Sequence, residues 1–131
     1  MKISTKGRYA LAILSDIAVN SEGQYISLKT ISDRLGISFK YLEKIVGILV
    51  KNNYLSVSRG KQGGYKLIKK PEEYKIGEIL ELTEKNMETI ECISNPESCK
   101  FNTKCKRQLV WKGLDEVISK YLNNITLKDI I

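Results

Sequence analysis

Cys92, Cys99 and Cys105 are the only thiols in the chain, spaced Cys-x6-Cys-x5-Cys. Their neighbours are polar: Glu91 and Ser94, Ser98 and Lys100, Lys104 and Lys106. Cysteines buried as structural apolar groups fall at periodic apolar positions, and these do not. Lys104, Lys106 and Arg107 favour thiolate over thiol. Thiolates in such an arrangement hold soft metals or iron–sulfur centres. A redox-sensing thiol set and bystander thiols are the other readings that the spacing leaves open. The odd count speaks against a disulfide framework. Histidine is absent altogether, which excludes a Ser-His-Asp triad, a Cys-His catalytic pair and a His-ligated zinc site within the chain. The glycines form neither a Walker loop nor a dinucleotide fingerprint. A small thiol enzyme or metal-transfer protein is the one catalytic reading left, and the expectation is that the protein is not an enzyme.

A second group of residues is basic. Within a net charge of +7, residues 1–70 hold 13 Lys and Arg against 4 Asp and Glu, whereas residues 71–131 are slightly acidic. Such a front half suggests a polyanion-binding module, although a solvated basic surface accounts for the charge equally well. The pattern is more specific than the charge. Ser38 opens a segment in which Leu42, Ile45, Val46 and Leu49 make an apolar stripe, leaving Phe39, Lys40, Tyr41, Glu43 and Lys44 to face outward. Rings on an outward polar face want a partner, and sugars and thymine methyls supply one. Glu43 repels phosphate and suits a selectivity contact, accepting from a cytosine amino group. Downstream, Arg59-Gly60-Lys61-Gln62-Gly63-Gly64 is basic and glycine-rich. Its glycines either let the backbone approach a phosphate or minor groove, or serve a hairpin turn. The candidate DNA contacts are Ser27, Ser38, Phe39, Lys40, Tyr41, Glu43, Lys44, Arg59, Gly60, Lys61, Gly63 and Gly64.

These side chains need a scaffold. From Ser4 to Asn20, Tyr9, Ala10, Ile13, Leu14 and Ile17 recur at helical spacing. Ser27 opens a second helix with Leu28, Ile31 and Leu35 on one face, and Gly36 stands where a helix end takes a left-handed residue. Leu35-Gly36-Ile37-Ser38 is the turn of a helix-turn-helix, whose second helix is placed to enter a major groove. Residues 54–58 and 65–68 read as a strand pair flanking the basic tip. The fold class is therefore mainly α with a small β-hairpin wing, a winged helix-turn-helix over residues 1–70. Past the polar break at 69–73, a helix is predicted over Ile76–Glu84 with Ile79 and Leu80 inward. Residues 85–104 are aperiodic. A long helix over 103–122 carries Val110, Leu114, Val117, Ile118 and Tyr121 as one stripe, with Cys105 at its start, and Thr126 caps a last short helix. Residues 71–131 are read as a cysteine-containing sensor loop and dimerisation helix. The stripe must bury itself on its own chain or on a partner's matching helix. The second option gives a homodimer on double-stranded DNA with a pseudo-palindromic operator. No apolar run is long enough for a membrane span and no secretory leader is recognisable, so a cytoplasmic location without a membrane partner is expected.

The segments KISTKGR (2–8), ISLKTISDRLGISFKYLEKI (26–45), SRGKQGGY (58–65) and LNNITLKDII (122–131) resemble the Rrf2 family of bacterial transcription regulators. The likeness covers essentially the whole chain and is nearest to the family's iron–sulfur cluster regulator (IscR) branch. It implies a homodimer, with a winged helix-turn-helix on each subunit and a long C-terminal helix crossing to the partner, acting as a repressor. It places Ser38, Lys40, Tyr41 and Glu43 on the recognition helix and Arg59 on a wing that probes the minor groove. It also implies a [2Fe–2S] cluster on Cys92, Cys99 and Cys105. Cluster-binding relatives often complete the site with a histidine three residues after the third cysteine, where this chain has Gln108. Others use an acidic residue near the N-terminus of the partner, where this chain has Arg8. The fourth ligand is therefore unidentified, with Gln108, Glu91, Glu97, or an exogenous thiol or water as the options. Family members that regulate cysteine metabolism through a complex with O-acetylserine sulfhydrylase are the alternative, but they need no three-cysteine loop.

Overall fold

Three serines start the three N-terminal helices. The computed structural model describes residues 2–95, 97, 100 and 105–131, and in it α1 spans Thr5–Asn20, α2 Leu28–Leu35 and α3 Phe39–Lys51. The hydroxyls of Ser4, Ser27 and Ser38 accept from the backbone N–H groups of Gly7, Thr30 and Tyr41. Each cap satisfies a donor that a helix start leaves open and contributes about 1 kcal/mol. Helix α2 ends at Gly36, whose φ of 66° lies in the left-handed region and whose N–H bonds the Ser32 carbonyl at 2.9 Å. Ser32 Oγ also donates to the carbonyl of the buried Ile37 at 2.7 Å. The turn between α2 and α3 is thus held by its own polar groups and pinned by one apolar side chain.

The predicted apolar faces meet. Ala10, Ile13, Leu14 and Ile17 of α1, Leu28 and Ile31 of α2, and Leu42, Ile45, Val46 and Leu49 of α3 are all buried in one cluster. Asn53, with φ 63°, turns the chain out of α3, and the Tyr54 N–H closes on the Leu49 carbonyl at 2.8 Å. Strands β1 (Leu55–Ser58) and β2 (Gly64–Leu67) pair antiparallel, with Leu55 opposite Leu67 and Ser58 opposite Gly64. The outer edge of β2 pairs with Ile26 through two reciprocal bonds, Ile26 N–H to Tyr65 O at 2.9 Å and Tyr65 N–H to Ile26 O at 2.8 Å. This contact ties the wing to the start of α2.

After a 3-10 turn at Pro71–Glu73 come α4 (Ile76–Thr83), the one-turn α5 (Glu91–Ser94), α6 (Gln108–Asn124) and a closing 3-10 turn at Leu127–Ile130. The C-terminal segment folds back on the wing's root. Ile76 N–H bonds Ile125 O and Leu127 N–H bonds Tyr74 O, both at 2.9 Å, and Leu127 is fully buried. Tyr74, Ile79 and Leu127 thus belong to the same core cluster as α1–α3.

Tyr74 is the knot of this arrangement. Its hydroxyl donates to Tyr54 O at 2.7 Å and accepts from the N–H groups of Ile68 at 3.0 Å and Lys69 at 3.1 Å. Burial raises its hydroxyl above the ordinary tyrosine value, outweighing the opposing pull of those two N–H groups. The folded state therefore favours neutral Tyr74, so this contribution to stability is intact below pH about 10 and is lost as pH rises through the raised folded value. Tyr74→Phe is expected to cost about 1–3 kcal/mol at neutral pH by stranding those backbone groups. It should also reduce the loss of stability above pH about 10. Urea denaturation at neutral and alkaline pH checks both.

Two expectations for the long helix are corrected. Spacing predicts its start near 103 with Cys105 at that start, but α6 begins at Gln108 and Cys105 lies a turn earlier. The N–H groups of Gln108, Leu109 and Val110 bond the carbonyls of Cys105, Lys106 and Arg107, a tight i→i+3 entry. Positions 101–104 lie outside the described residues. Ile118 also leaves the predicted stripe. At about 100° per residue, Val110, Leu114, Val117 and Tyr121 share one arc, while Trp111, Asp115, Ile118 and Leu122 share the next. The first arc is open, with Val110 62%, Val117 65% and Tyr121 65% exposed. The second is half-buried.

Candidate nucleic-acid interface and thiol segment

The apolar stripe of α3 turns inward, so Phe39, Lys40, Glu43 and Lys44 stand exposed on its other side, with Ser38 exposed at its cap. Tyr41 is the exception to the predicted outward set. Its ring is half-buried and meets Tyr9 of α1 edge-on, with centroids 5.7 Å apart and planes at 77°. Position 41 lies one helical turn before Ile45, on the flank of the buried stripe, and that i,i+4 relation is the signal that points it inward.

At the wing, Arg59, Gly60 and Lys61 are exposed. Gly63 and Gly64 have reasons inside the chain: a Cβ on Gly64 would overlap the carbonyl of Ile26, and one on Gly63 would overlap the carbonyl of Ser58. Gly64 is moreover buried. Both glycines are thus explained by the hairpin and its pairing with Ile26. Because that pairing holds the wing beside α2, a polar groove brings Ser27 and Thr30 together with Lys61, Gln62 and Gly63. Among the described residues the ion pairs are Arg34–Asp16, Lys29–Asp33 and Lys75–Glu78, none of which engages Lys40, Lys44, Arg59 or Lys61.

Sequence reasoning missed three supporting groups. Arg34, which lines the groove, is held by Asp16 of α1 through two bonds of 2.8 and 2.7 Å, a forked pair that fixes α2 on α1. Lys66 lies 4.7 Å from the ring centroid of Tyr25, linking β2 to the segment before α2. Glu84, at the end of α4, accepts from both the N–H of Ser4 at 3.0 Å and its hydroxyl at 2.8 Å. This carboxylate sits at the positive N-terminal end of α1 and ties the start of the cysteine segment to the basic half. None of the three has a local signature, since each pairing joins residues distant in sequence.

In the thiol segment, Cys92 lies on α5 and Cys105 in the turn before α6, both half-buried. Cys99 lies outside the described residues. Arg107 Nε donates to Cys105 Sγ at 3.4 Å, and chiefly through that bond holds the thiol below its ordinary value. Gln108 begins α6 half-buried, with its N–H on the Cys105 carbonyl at 3.2 Å. Glu91 and Glu97 are exposed, as is Arg8, whose guanidinium bonds Thr5 Oγ1 at 3.2 Å. Among the described residues no three His, Cys, Asp or Glu side chains converge on a metal position. Cys105 by itself suits a soft metal such as iron, because a thiol biased toward its anion is the form that ligates.

Comparison with known proteins agrees with this architecture. Residues 3–131 match the sequence model of the Rrf2 family, described as an iron-dependent transcriptional regulator. The HTH-type transcriptional regulator IscR of Klebsiella pneumoniae (strain 342) is 36% identical over 131 residues, which cover 100% of this chain and 80% of that protein. Among solved structures, CymR (YrzC), the global cysteine regulator of B. subtilis, superposes with a TM-score of 0.82 at 30% identity, covering 99% of this chain and 95% of that one. T. potens IscR superposes with a TM-score of 0.78 at 33% identity, covering 99% and 85%. No helix among the described residues is long and apolar enough to cross a membrane. With a helix-turn-helix, a hairpin wing and these relatives along its whole length, the chain belongs to the Rrf2 family of transcriptional regulators.

Proposed function

We propose that this protein is a homodimer that binds a pseudo-palindromic DNA operator through α3 and the wing, with binding modulated by an iron–sulfur cluster or by thiol state at Cys92, Cys99 and Cys105. The observation that carries the DNA reading is the outer side of α3. Phe39, Lys40, Glu43 and Lys44 stand exposed there beside a basic wing whose base is fixed to α2. The groups match the tasks of a duplex-binding surface: cations for phosphates, a carboxylate for a cytosine amino group, a ring for sugar or methyl. In this reading the protein acts as a repressor, a head seated on operator DNA excluding other proteins from it.

The open arc of α6 supports the dimer. An apolar row of this length on a soluble helix is what a partner's matching helix buries. The low-lying Cys105 thiol supports a metal-binding or redox role for the segment. When bound, a cluster would cross-link the residues flanking α5 and α6 and supply the sensing chemistry. Cys92, Cys99 and Cys105 would hold it, with the fourth ligand still to be assigned. The bonds between Ser4 and Glu84 offer a mechanical route from that segment to α1.

The likeness to CymR favours a second reading, in which the same DNA-binding body answers to cysteine metabolism through a partner enzyme such as O-acetylserine sulfhydrylase. Anaerobic purification separates the two. The cluster reading expects about two irons and two sulfides per chain, near-complete loss of both in Cys99→Ser, and an operator affinity that changes at least ~5-fold on cluster removal. Protein without iron, whose operator affinity changes only when O-acetylserine sulfhydrylase is added, would establish the second reading instead.

A further inference from the structure

We propose that Gly47 and Lys51, on the outer arc of α3, seat the sugar–phosphate backbone of one DNA strand together with Lys44. This seat rests on the reading of α3 as the helix that faces DNA. Glycine is the least favourable residue of a helix interior after proline, so one found there calls for a cause. At Gly7, Gly64 and Gly77 the cause lies inside the chain, where a Cβ would overlap the Glu84 carboxylate, the Ile26 carbonyl or the Asn123 amide. Gly47 is different. It is exposed in the third turn of a helix that runs unbroken from Phe39 to Lys51, its φ is not positive, and a Cβ built on it meets nothing within 4 Å. The chain leaves room there for a side chain that the sequence withholds. Gly113 is the other glycine with open space and an ordinary φ, and it lies beside the arc of α6 proposed to meet a partner helix. Both glycines without a cause inside the chain thus fall on faces read as interfaces.

The position of Gly47 fits a strand of duplex. At about 100° per residue, Gly47 and Lys51 fall within about 20° of Lys40, in the middle of the arc that runs from Glu43 to Lys44. Lys44 and Lys51 stand one turn to either side of Gly47, both exposed and neither in an ion pair among the described residues. With 13 residues, α3 is about 20 Å long, more than the roughly 12 Å width of a major groove. Its first turns reach base edges, so its third turn meets the strand that walls the groove. A helix bare at that point lets a deoxyribose come against the helix backbone, while the two ammonium groups reach the phosphates before and after it. A methyl group there would hold the strand off and draw Phe39, Lys40 and Glu43 away from the bases.

The test compares the full chain with Gly47→Ala, Gly47→Leu and Lys51→Ala on a duplex that the parent selects from random sequence. Gly47→Ala should raise Tm by about 2–4 °C, because alanine favours helix, and yet weaken binding at least ~5-fold. Gly47→Leu should weaken it at least ~50-fold, with Tm no lower than that of the parent. Lys51→Ala should flatten the slope of log K against log salt by about 0.9. A glycine acting as a flexible joint would give a different pattern, an equal loss with alanine and with leucine. Thermal midpoints show that each variant is folded, and positions 47 and 51 are read independently. Parent-like affinity in both Gly47 variants, an equal loss in the two, or an unchanged slope in Lys51→Ala would overturn the seat and leave the DNA reading in place. A parent that binds no duplex would overturn both.

Discussion

Gly64→Ala should release the wing from the body of the protein. The new Cβ cannot be placed without moving the Ile26 carbonyl. That carbonyl is half of the reciprocal pair between Ile26 and Tyr65, so the change breaks both bonds along with the strain it introduces. Stranding two backbone pairs costs about 1–3 kcal/mol each, and part of this is recovered where water reaches the opened edge. The net expectation is a loss of about 3 kcal/mol or more, with Tm lowered by roughly 10 °C. DNA binding should fall further than stability, because Lys61 loses its place beside Ser27 and Thr30 and Arg59 loses the fixed base of its hairpin. Chemical denaturation and protease cleavage within residues 59–63 check the result. Stability within 0.5 kcal/mol of the parent, a margin of about ordinary surface-substitution size, would mean that the Ile26 pairing does not hold the wing.

Val117→Glu should dissociate the proposed dimer while sparing the protomer. Val117 is 65% exposed in the single chain and touches none of its core, so a carboxylate there is solvated in the monomer. In a two-fold interface the substitution occurs twice and places charges in the apolar arc of both α6 helices. An unpaired buried charge costs about 3–5 kcal/mol, which corresponds to a rise of at least ~100-fold in the dimer dissociation constant. Operator affinity should fall with it, since one head then binds one half-site. Sedimentation equilibrium reads the mass directly, and the thermal midpoint at low concentration shows whether the protomer is intact. A dimer of unchanged strength would place the partner elsewhere.

The first 70 residues are legible in the sequence because their signals are local. Ser4, Ser27 and Ser38 announce helix starts three residues ahead of the N–H groups they accept from, and Gly36 announces a left-handed end. Apolar residues at three- and four-residue spacing then define a single inward face. Local pattern fails where two neighbouring faces are both apolar. In α6, Ile118 and Val117 look alike in sequence yet pack on different sides, because only α4 and the segment around Met87 decide which arc is covered. Tyr41 departs from its expected outward position for the same reason, its partner Tyr9 being on another helix. Tyr74, Leu127 and Glu84 act across long sequence distances, 80 residues between Glu84 and Ser4, and no periodicity encodes that. The glycines of the wing show a different limit. Their presence is legible, but Gly63 and Gly64 are demanded by carbonyls of the same chain. The thiols stand out by count and neighbourhood, and the effect of Arg107 on Cys105 follows from adjacency.

That duplex DNA seats on the outer side of α3 and on the wing is tested most directly by salt dependence. The parent protein and the Lys40→Ala/Arg59→Ala/Lys61→Ala variant are titrated onto a duplex recovered by selection from random sequence, at a series of salt concentrations. All three side chains are exposed, so the variant should keep its fold. Every phosphate that goes unneutralised in the variant should flatten the slope of log K against log salt by about 0.9. The expected result is a clearly shallower slope and at least ~100-fold weaker binding at low salt. Equal slopes and equal affinities in the two proteins would contradict the assignment of this surface to DNA.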